Sequence, residues 1–231
     1  MVRTNQISKA NRLLDKGLDP NFHSDLGETP LTIAASLAEP KTMIMALYNG
    51  GAHLDFRSRD TLTPMHKAAT IGNDKALKTL LELGAFAEVR DGRMLTPLYY
   101  SIMNASSVQL IEYLLFNGST IGVRDDNNWH EIHHACKLGL SQHLDHLIYY
   151  GSDVNAKNNS GNTPLHVCAI HNQENCARIL LFRGCDRQER NLANQTAFES
   201  AIIASNQVVA DLIKNHRDSE IGKTFNDLYN I

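Results

Sequence analysis

The sequence predicts an all-α protein in which helix-turn-helix repeats stack into a solenoid. The first observation is a Thr-Pro step or its equivalent that returns, at gaps by subtraction of 34, 33, 34, 33 and 33 residues, at Thr29, Thr63, Thr96, His130, Thr163 and Thr196. The second is that each interval holds small residues, a break, an apolar segment and a glycine in the same order. Units of this length cannot bury their apolar faces alone, so they are stable only as a stack.

The most regular unit shows why each repeat should contain two helices. Thr163 suits an N-cap, because its hydroxyl can accept from a backbone N–H that has no helical partner. Pro164 follows at the first helical position, where its missing N–H costs nothing. A second apolar segment ends at Phe182, and Gly184 then supplies a residue that tolerates left-handed dihedrals.

The chain begins with a half repeat, residues 6–23. A helix from Gln6 to Leu14 is predicted to end at Lys16-Gly17, which matches only the second helix of a unit. The segment is either a natural N-terminal cap or part of a longer protein whose first helix precedes Met1. We favour the longer protein, because a cap should present a polar outer face.

Six full repeats are predicted to follow, near residues 25–57, 58–90, 91–124, 125–157, 158–190 and 191–216. With the half repeat they form one domain, residues 1–216. The first and third repeats each hold one extra residue between the anchor and the closing glycine. We expect that insertion in the turn between the helices or at a helix end, where it disturbs stacking least. Residues 217–231 lose the pattern and are predicted to be a C-terminal tail or linker.

Composition and charge argue against several classes of function. The formal net charge is −3 and the isoelectric point about 6.4, so nucleic-acid binding, which needs a strong basic field, is not expected. No run of eighteen apolar residues occurs, so no transmembrane helix is predicted. The first six residues lack the apolar core of a secretory signal. We expect a monomer that needs no cofactor.

The four cysteines are predicted to be structural. Cys136, Cys168, Cys176 and Cys185 show no CxxC spacing and fall at repeat positions that are usually small and buried. Free thiols in a reducing cytosol are the natural interpretation. Metal binding and a redox role are the alternatives.

The pattern Gly-x-Thr-Pro-Leu-His-x-Ala-Ala, closed by Leu-Leu-x-x-Gly-Ala, resembles the ankyrin repeat over roughly residues 6–216. The resemblance implies a β-hairpin-like loop and two antiparallel helices in every unit. Ala34-Ala35 and Ala68-Ala69 fit positions where neighbouring helices approach closely. It also implies that the imidazoles of His66, His133 and His166 tie the loops to the helices by hydrogen bonds.

A narrower resemblance is to the ankyrin region of the Shank postsynaptic scaffold proteins. It is carried by Leu13–His23, Asn49–Arg57, Leu180–Gly184, Asn194–Phe198 and the irregular fourth repeat, Trp129–His133, where His130-Glu131 replaces Thr-Pro. The resemblance implies a cytoplasmic module at the postsynaptic density. Its implied partners are spectrin, Sharpin and the ubiquitin-like domain that precedes such regions in the same chain.

Two loop positions depart from the family pattern. The turn position that is usually glycine is Thr61 in the second repeat and Met94 in the third. Neither residue is comfortable at positive φ, so those hairpins should differ from the others or carry strain.

A catalytic or metal site is not expected. His133, His134 and Cys136 are close enough to suggest a Cys-His nucleophile, but Cys136 occupies a position usually filled by alanine that faces a neighbouring helix. A zinc site from His166, Cys168, His171 and Cys176 fails because His166 and Cys168, two apart on a helix, point to different faces. The sequence also has no glycine-rich phosphate loop.

Asn155 is a candidate modification site. The spacing of Leu147 and Asp153-Val154-Asn155 resembles sites that an asparaginyl hydroxylase modifies on ankyrin proteins. The alternative is a loop asparagine that bonds its own backbone.

The predicted binding surface consists of positions that the fold does not need, in the hairpins and on the exposed side of each first helix. Several of these positions are apolar, and with Arg93 they form the predicted partner-binding set: Leu62, Ile71, Arg93, Leu95, Met103, Trp129 and Leu138. An exposed apolar stripe usually marks a contact surface, and tryptophan is enriched at interface hot spots. Asp60, Arg93, Asp125 and Asp126 could form a polar rim. Alternatively, these apolar side chains pack sideways between repeats.

Three functions follow from this interpretation, in order of preference. The first is a non-enzymatic protein-interaction module of a postsynaptic scaffold that binds partners on its concave face. The second is a regulatory segment whose concave face is masked by a neighbouring domain of the same chain. The third is an enzyme.

Overall fold

The computed structural model describes residues 2–4 and 6–216, and the predicted tail 217–231 lies outside them. Thirteen α-helices occur in the described residues. They belong to two compact units, one up to Thr120 and one from Ile121 onward. None of the thirteen is long and apolar enough to cross a membrane.

The first unit contains seven helices in two layers: α1 (Ile7–Leu14), α2 (Pro30–Ala34), α3 (Lys41–Asn49), α4 (Pro64–Thr70), α5 (Asp74–Glu82), α6 (Pro97–Met103) and α7 (Val108–Phe116). Helices α2, α4 and α6 pack in one row, and α1, α3, α5 and α7 pack in a second row behind them. Helix α1 contacts α3, so it occupies the place of a second helix, as the half repeat predicts.

The second unit repeats this arrangement with six helices: α8 (Glu131–Leu138), α9 (Ser141–Tyr149), α10 (Pro164–Ile170), α11 (Glu174–Phe182), α12 (Ala197–Ile203) and α13 (Gln207–Asn215). Helix α10 packs between α8 and α12, and α11 packs between α9 and α13. The ankyrin-repeat architecture and the all-α class are therefore confirmed.

The threonine anchors are N-caps, as predicted. The Thr29 hydroxyl accepts from the Thr32 N–H at 3.0 Å, and the Thr96 hydroxyl accepts from the Tyr99 N–H at 3.3 Å. The first helices of the repeats are only five to eight residues long, so they depend on such caps and on packing rather than on intrinsic propensity. A cap of this kind stabilises a helix by about 1 kcal/mol.

The extra residue of the first and third repeats lies between the helices. Lys41 begins its helix twelve residues after Thr29, whereas Asp74 begins its helix eleven residues after Thr63. The second helices keep the same length of nine residues. The insertion is thus absorbed by the inter-helix turn, and the packed faces stay in register.

All six hairpin tips place one residue in the left-handed region. Glycine or asparagine fills four of these positions: Gly27, Asn128, Gly161 and Asn194. The other two are Thr61 at φ 67° and Met94 at φ 61°. The prediction of strain at these two tips is confirmed, since each costs roughly 1–2 kcal/mol relative to a glycine.

Neighbouring loops are joined to one another in the first unit. The Arg59 N–H donates to the Gly27 carbonyl oxygen at 2.9 Å. Between the next two loops, the Gly92 N–H donates to the Thr61 hydroxyl at 2.6 Å. A Cβ at position 92 would lie 2.5 Å from that hydroxyl oxygen, so this loop requires glycine. The strained Thr61 thus has a structural role in the fold.

Candidate functional site

The predicted partner-binding residues of the first unit divide by exposure. Ile71 at the end of α4 is 46% exposed, Met103 at the end of α6 is 43% exposed, and Arg93 is also exposed. The Asn104 side-chain amide donates to the Ala69 carbonyl oxygen at 3.2 Å, which holds the ends of α6 and α4 side by side. Ile71 and Met103 therefore lie along one edge of these helices.

Leu95 does not belong to this surface. Its side chain is only 1% exposed, so the expectation that it projects toward a partner is wrong. The Leu95 N–H donates to Asp91 Oδ1 at 2.9 Å, and its carbonyl oxygen accepts from His66 Nε2 at 3.0 Å. These bonds fix the backbone of the loop, and the buried side chain agrees with the alternative that it packs within the fold. Leu62, at the corresponding position one repeat earlier, is half-buried.

Asp91 organises the loop that carries Arg93. Its Oδ1 accepts from the Arg93 and Leu95 N–H groups, both at 2.9 Å, and its Oδ2 accepts from the Tyr100 hydroxyl at 2.7 Å. Burial and the hydrogen bond to Asp91 raise the pKa of Tyr100, so this hydroxyl stays a donor at any ordinary pH. Repeat spacing does not identify this pair, although an aspartate at the start of a tip turn signals such a role.

In the second unit, Trp129 lies in a cluster of histidines. The loop is fixed by Asp125 Oδ1, which accepts from the Trp129 N–H at 2.9 Å. The indole ring centroid lies 5.7 Å from that of His133 and 5.1 Å from that of His134, and Lys137 Nζ lies 5.6 Å from the ring centroid. Trp129 is half-buried. Part of its indole packs within the fold, and the rest stays exposed to solvent, where a partner could contact it.

The histidines of this cluster are held neutral. Burial lowers the pKa of His133 to about 4, and the neighbouring His130 adds to the effect. Burial also lowers the pKa of His134 to about 4 and shifts the pKa of His130 downward. Leu138, one turn beyond His134, is 45% exposed and extends the apolar surface of α8.

The histidine ties implied by the ankyrin pattern are confirmed. The N–H of Thr63 donates to His66 Nδ1 at 3.3 Å, and the N–H of His130 donates to His133 Nδ1 at 3.1 Å. Because Nδ1 accepts, Nε2 carries the proton and can donate to a loop carbonyl oxygen. His166 makes the same connection, with Nε2 at 2.9 Å from the Gln195 carbonyl oxygen.

Glu131 explains how the fourth repeat works without proline at the first helical position. Its carboxylate is buried and accepts from the Gly122 N–H at 3.0 Å and the Val123 N–H at 3.2 Å. These amides belong to the preceding loop, so the side chain ties that loop to the start of α8. The irregular position is visible in the sequence, but this role of Glu131 is not.

Asn155 is fixed in its loop by two hydrogen bonds. Its N–H donates to Asp153 Oδ1 at 2.9 Å, and its own Oδ1 accepts from the Asp186 N–H at 2.8 Å. The amide thus links two successive loops. Hydroxylation at this residue stays a prediction.

In the first unit, Asp55 occupies the loop position that corresponds to Asn155, but its side chain is a carboxylate and not an amide. At the equivalent position, Asn21 accepts from the His53 N–H at 2.8 Å and donates its amide to the Gly51 carbonyl oxygen at 2.9 Å. The Asp55 carboxylate accepts from the Phe86 N–H, whereas its Oδ1 is buried without a hydrogen-bond partner. Burial therefore raises the pKa of Asp55. A carboxylate cannot donate where the asparagine does.

The four cysteines are free and buried, as predicted. Burial raises the pKa values of Cys136 and Cys168, and it raises the pKa of Cys185 to about 12. Across residues 2–4 and 6–216, no three His, Cys, Asp or Glu side chains are arranged to hold a metal ion. Thiols in this state are poor nucleophiles.

Comparison with protein families adds an independent observation. The family described as ankyrin repeats (3 copies) matches residues 1–91, 46–125, 98–191 and 132–224. The ankyrin repeat domain of Bcl-3 superposes with a TM-score of 0.79 at 23% identity, and the match covers 93% of this chain and 96% of that one. That structural likeness supports the fold alone.

Among curated proteins, the chain is 51% identical over 216 residues to human SH3 and multiple ankyrin repeat domains protein 2. It is 48% identical over 221 residues to mouse SH3 and multiple ankyrin repeat domains protein 1, and 28% identical over 193 residues to mouse neurogenic locus notch homolog protein 1. These matches cover 93%, 95% and 78% of this chain. The chain spans only 12%, 10% and 8% of the respective relatives.

Proposed function

The chain belongs to the ankyrin-repeat family, and we propose that it is the protein-interaction module of a Shank-like scaffold protein. The 51% identity to a protein named for its SH3 and ankyrin repeat domains supports this proposal. On this proposal, the module is non-enzymatic and works in the cytoplasm at the postsynaptic density. Spectrin, Sharpin and an N-terminal ubiquitin-like domain of the same chain are the partners to be tested.

The observation that carries the proposal is the environment of Trp129. Asp125 holds the loop backbone at Trp129, and the half-buried indole packs on His133 and His134, so we expect the ring to be ordered before a partner arrives. Rigid aromatic side chains lose little entropy on binding, which is why they act as anchors. On this basis Trp129, Lys137 and the exposed Leu138 form the binding surface of the second unit.

The same reasoning assigns the binding surface of the first unit. Ile71, Met103 and Arg93 are exposed, and Leu62 is half-buried. Leu95 has no place in this surface because it is buried. An exposed apolar edge beside a charged loop is the usual composition of a transient interface.

The test is an affinity measurement with purified partner domains. Calorimetry of the chain with spectrin and Sharpin fragments should show binding that Trp129→Ala weakens by about 2 kcal/mol, with unchanged helicity. Leu138→Glu should weaken it without touching the core. Tyr149→Ala, an exposed aromatic on α9, is the matched control and should bind normally. If the melting temperature collapses in Trp129→Ala while the folded fraction binds normally, Trp129 is structural and the proposed surface is wrong.

The second candidate function is a regulatory surface that a neighbouring domain masks. Adding that domain to the binding assay distinguishes it from the first candidate. A ubiquitin-like domain supplied in trans or fused before Met1 should compete with the partner if it covers the same residues. Unchanged partner affinity in the presence of that domain would reject masking and leave the interaction module.

A further inference from the structure

Met94 is a strained residue that the fold does not need. It occupies the tip of its hairpin at φ 61° and its side chain is 59% exposed. Thr61, the other strained tip, holds the Gly92 N–H through its hydroxyl, so its side chain has a structural task. Four of the six tips avoid the strain with glycine or asparagine. Strain that brings no internal contact of this kind points to a role outside the molecule.

The loops around Met94 carry positive charge. Residues 57–62 and 88–95 contain four arginines, two aspartates and one glutamate, a formal charge of +1 in a chain whose total is −3, and Arg90 pairs with Glu88 at 2.9 Å. Asp91 is buried, and its oxygens accept from the Arg93 and Leu95 N–H groups and the Tyr100 hydroxyl. The negative charge of Asp91 is therefore buried in the fold and is not presented to solvent. Three arginines of these loops, Arg57, Arg59 and Arg93, are exposed, against one exposed aspartate, Asp60.

An exposed apolar edge belongs to the same unit. Met103 is the last residue of α6, in the repeat that also contains Met94. Ile71 lies at the end of α4, the first helix of the preceding repeat. Both are exposed, and neither carries charge. Methionine is flexible and polarisable, so it suits contact with irregular apolar groups. The first unit thus exposes apolar side chains at its helix ends and, in its hairpin loops, a basic border formed by Arg59 and Arg93.

We propose that Met94 anchors an acidic protein segment that carries an apolar side chain, with Arg59 and Arg93 facing its carboxylates. The occupant is identified by charge complementarity, since a basic border selects an acidic partner and excludes a basic one. This inference rests on the proposed interaction function and assigns a class of partner to the first unit.

The test uses a random-peptide phage library, selected on the immobilised full chain, and fluorescence anisotropy of the enriched peptide. Enriched sequences should be acidic with at least one large apolar residue. Met94→Gly should raise the melting temperature by about 2–8 °C because it relieves the strain, and should weaken peptide binding about tenfold. Arg59→Glu should weaken binding and reduce its dependence on salt.

Two matched controls separate strain from contact. Asn194→Gly changes a tip of the same geometry that asparagine already tolerates, so stability and binding should stay unchanged. Met45→Ala removes another exposed methionine, on α3, and should also leave binding unchanged.

Several outcomes would overturn the inference. They are enriched peptides without acidic residues, binding that Met94→Gly does not alter, and a Met94-dependent dimer in place of peptide binding. Peptides that Trp129→Ala releases but Met94→Gly does not would refute this site alone and leave the interaction module standing. Loss of spectrin and Sharpin binding in the calorimetric test bears on the module and not on Met94.

Discussion

Replacing His133 by glutamine should remove most of one large acid-sensitive contribution to stability. In the folded protein, His133 Nδ1 accepts from the His130 N–H at 3.1 Å, and Nε2 lies 3.1 Å from the Ala156 carbonyl oxygen. A proton on Nδ1 would abolish the first bond, and burial also penalises the charge. Glutamine offers an acceptor and a donor without titrating, so His133→Gln tests the charge and keeps the contacts.

The sign and size follow from the lowered pKa. His133 has a pKa of about 4 when folded against 6.5 for the ordinary group, so the unfolded chain binds more protons between these values. Stability therefore falls as pH falls through 6.5, and the loss is complete below about 4. The contribution is about 1 kcal/mol between pH 7 and pH 5.5, and about 3 kcal/mol by pH 4. His130 and His134 titrate in the same direction, so wild type should lose more than this.

The assay is urea unfolding at pH 7 and at pH 5.5, followed by fluorescence. The chain has one tryptophan, and Trp129 packs on His133, so its emission reports this region directly. The free energy of unfolding should fall less with pH in His133→Gln than in wild type, by about 1 kcal/mol. His53→Gln, at an exposed histidine of the first unit, is the control.

An unchanged pH dependence in His133→Gln would refute the reasoning, because it would mean that this imidazole takes up no fewer protons when folded. The same conclusion would follow if NMR titration of the folded chain gave His133 an ordinary pKa.

Three further substitutions test single contacts of the fold by thermal denaturation. Asp55→Asn should stabilise the chain by roughly 1 kcal/mol at pH 7, because it replaces a carboxylate with a raised pKa by an amide that can donate; the gain should shrink as acid protonates the aspartate. Glu131→Ala should cost about 2–3 kcal/mol, since two loop N–H groups lose their charged acceptor. Gly92→Ala should cost about 1–3 kcal/mol, and Thr61→Gly should restore part of that loss by removing the clash.

Each of the three has a clear contrary result. A destabilised Asp55→Asn would mean that the unpaired oxygen has a partner in solution, such as water. A Glu131→Ala variant with wild-type stability would show that solvent replaces the carboxylate. If Gly92→Ala were neutral, the loop would be free to move away from the threonine.

The sequence was sufficient for the features that depend on local spacing. Thr29 and Thr96 could be identified as caps because a threonine before a helix start has one dominant use. The strain at Thr61 and Met94 could be predicted because a hairpin tip needs positive φ whatever residue occupies it. The place of the insertion followed from the need to keep the packed faces aligned.

The sequence was not sufficient where a side chain's direction depends on the next repeat. Leu95 precedes its anchor just as Trp129 does, and each N–H donates to the aspartate four residues earlier, yet Leu95 is buried and Trp129 is half-buried. The spacing is the same in both cases, so periodicity could not separate them. Asp55 illustrates the same limit, because the missing donor becomes visible only when Asn21 is compared with it in three dimensions.

The burial of all four native cysteines has a practical consequence for spectroscopy. Maleimide dyes need an accessible thiolate, and these thiols are not accessible while the second unit is folded. A single Asp25→Cys substitution on an exposed loop of the first unit would therefore take up one dye without prior removal of the native cysteines. The rate of any slow additional labelling would then report how fast the second unit opens. The same reagent therefore labels the protein and measures its opening kinetics.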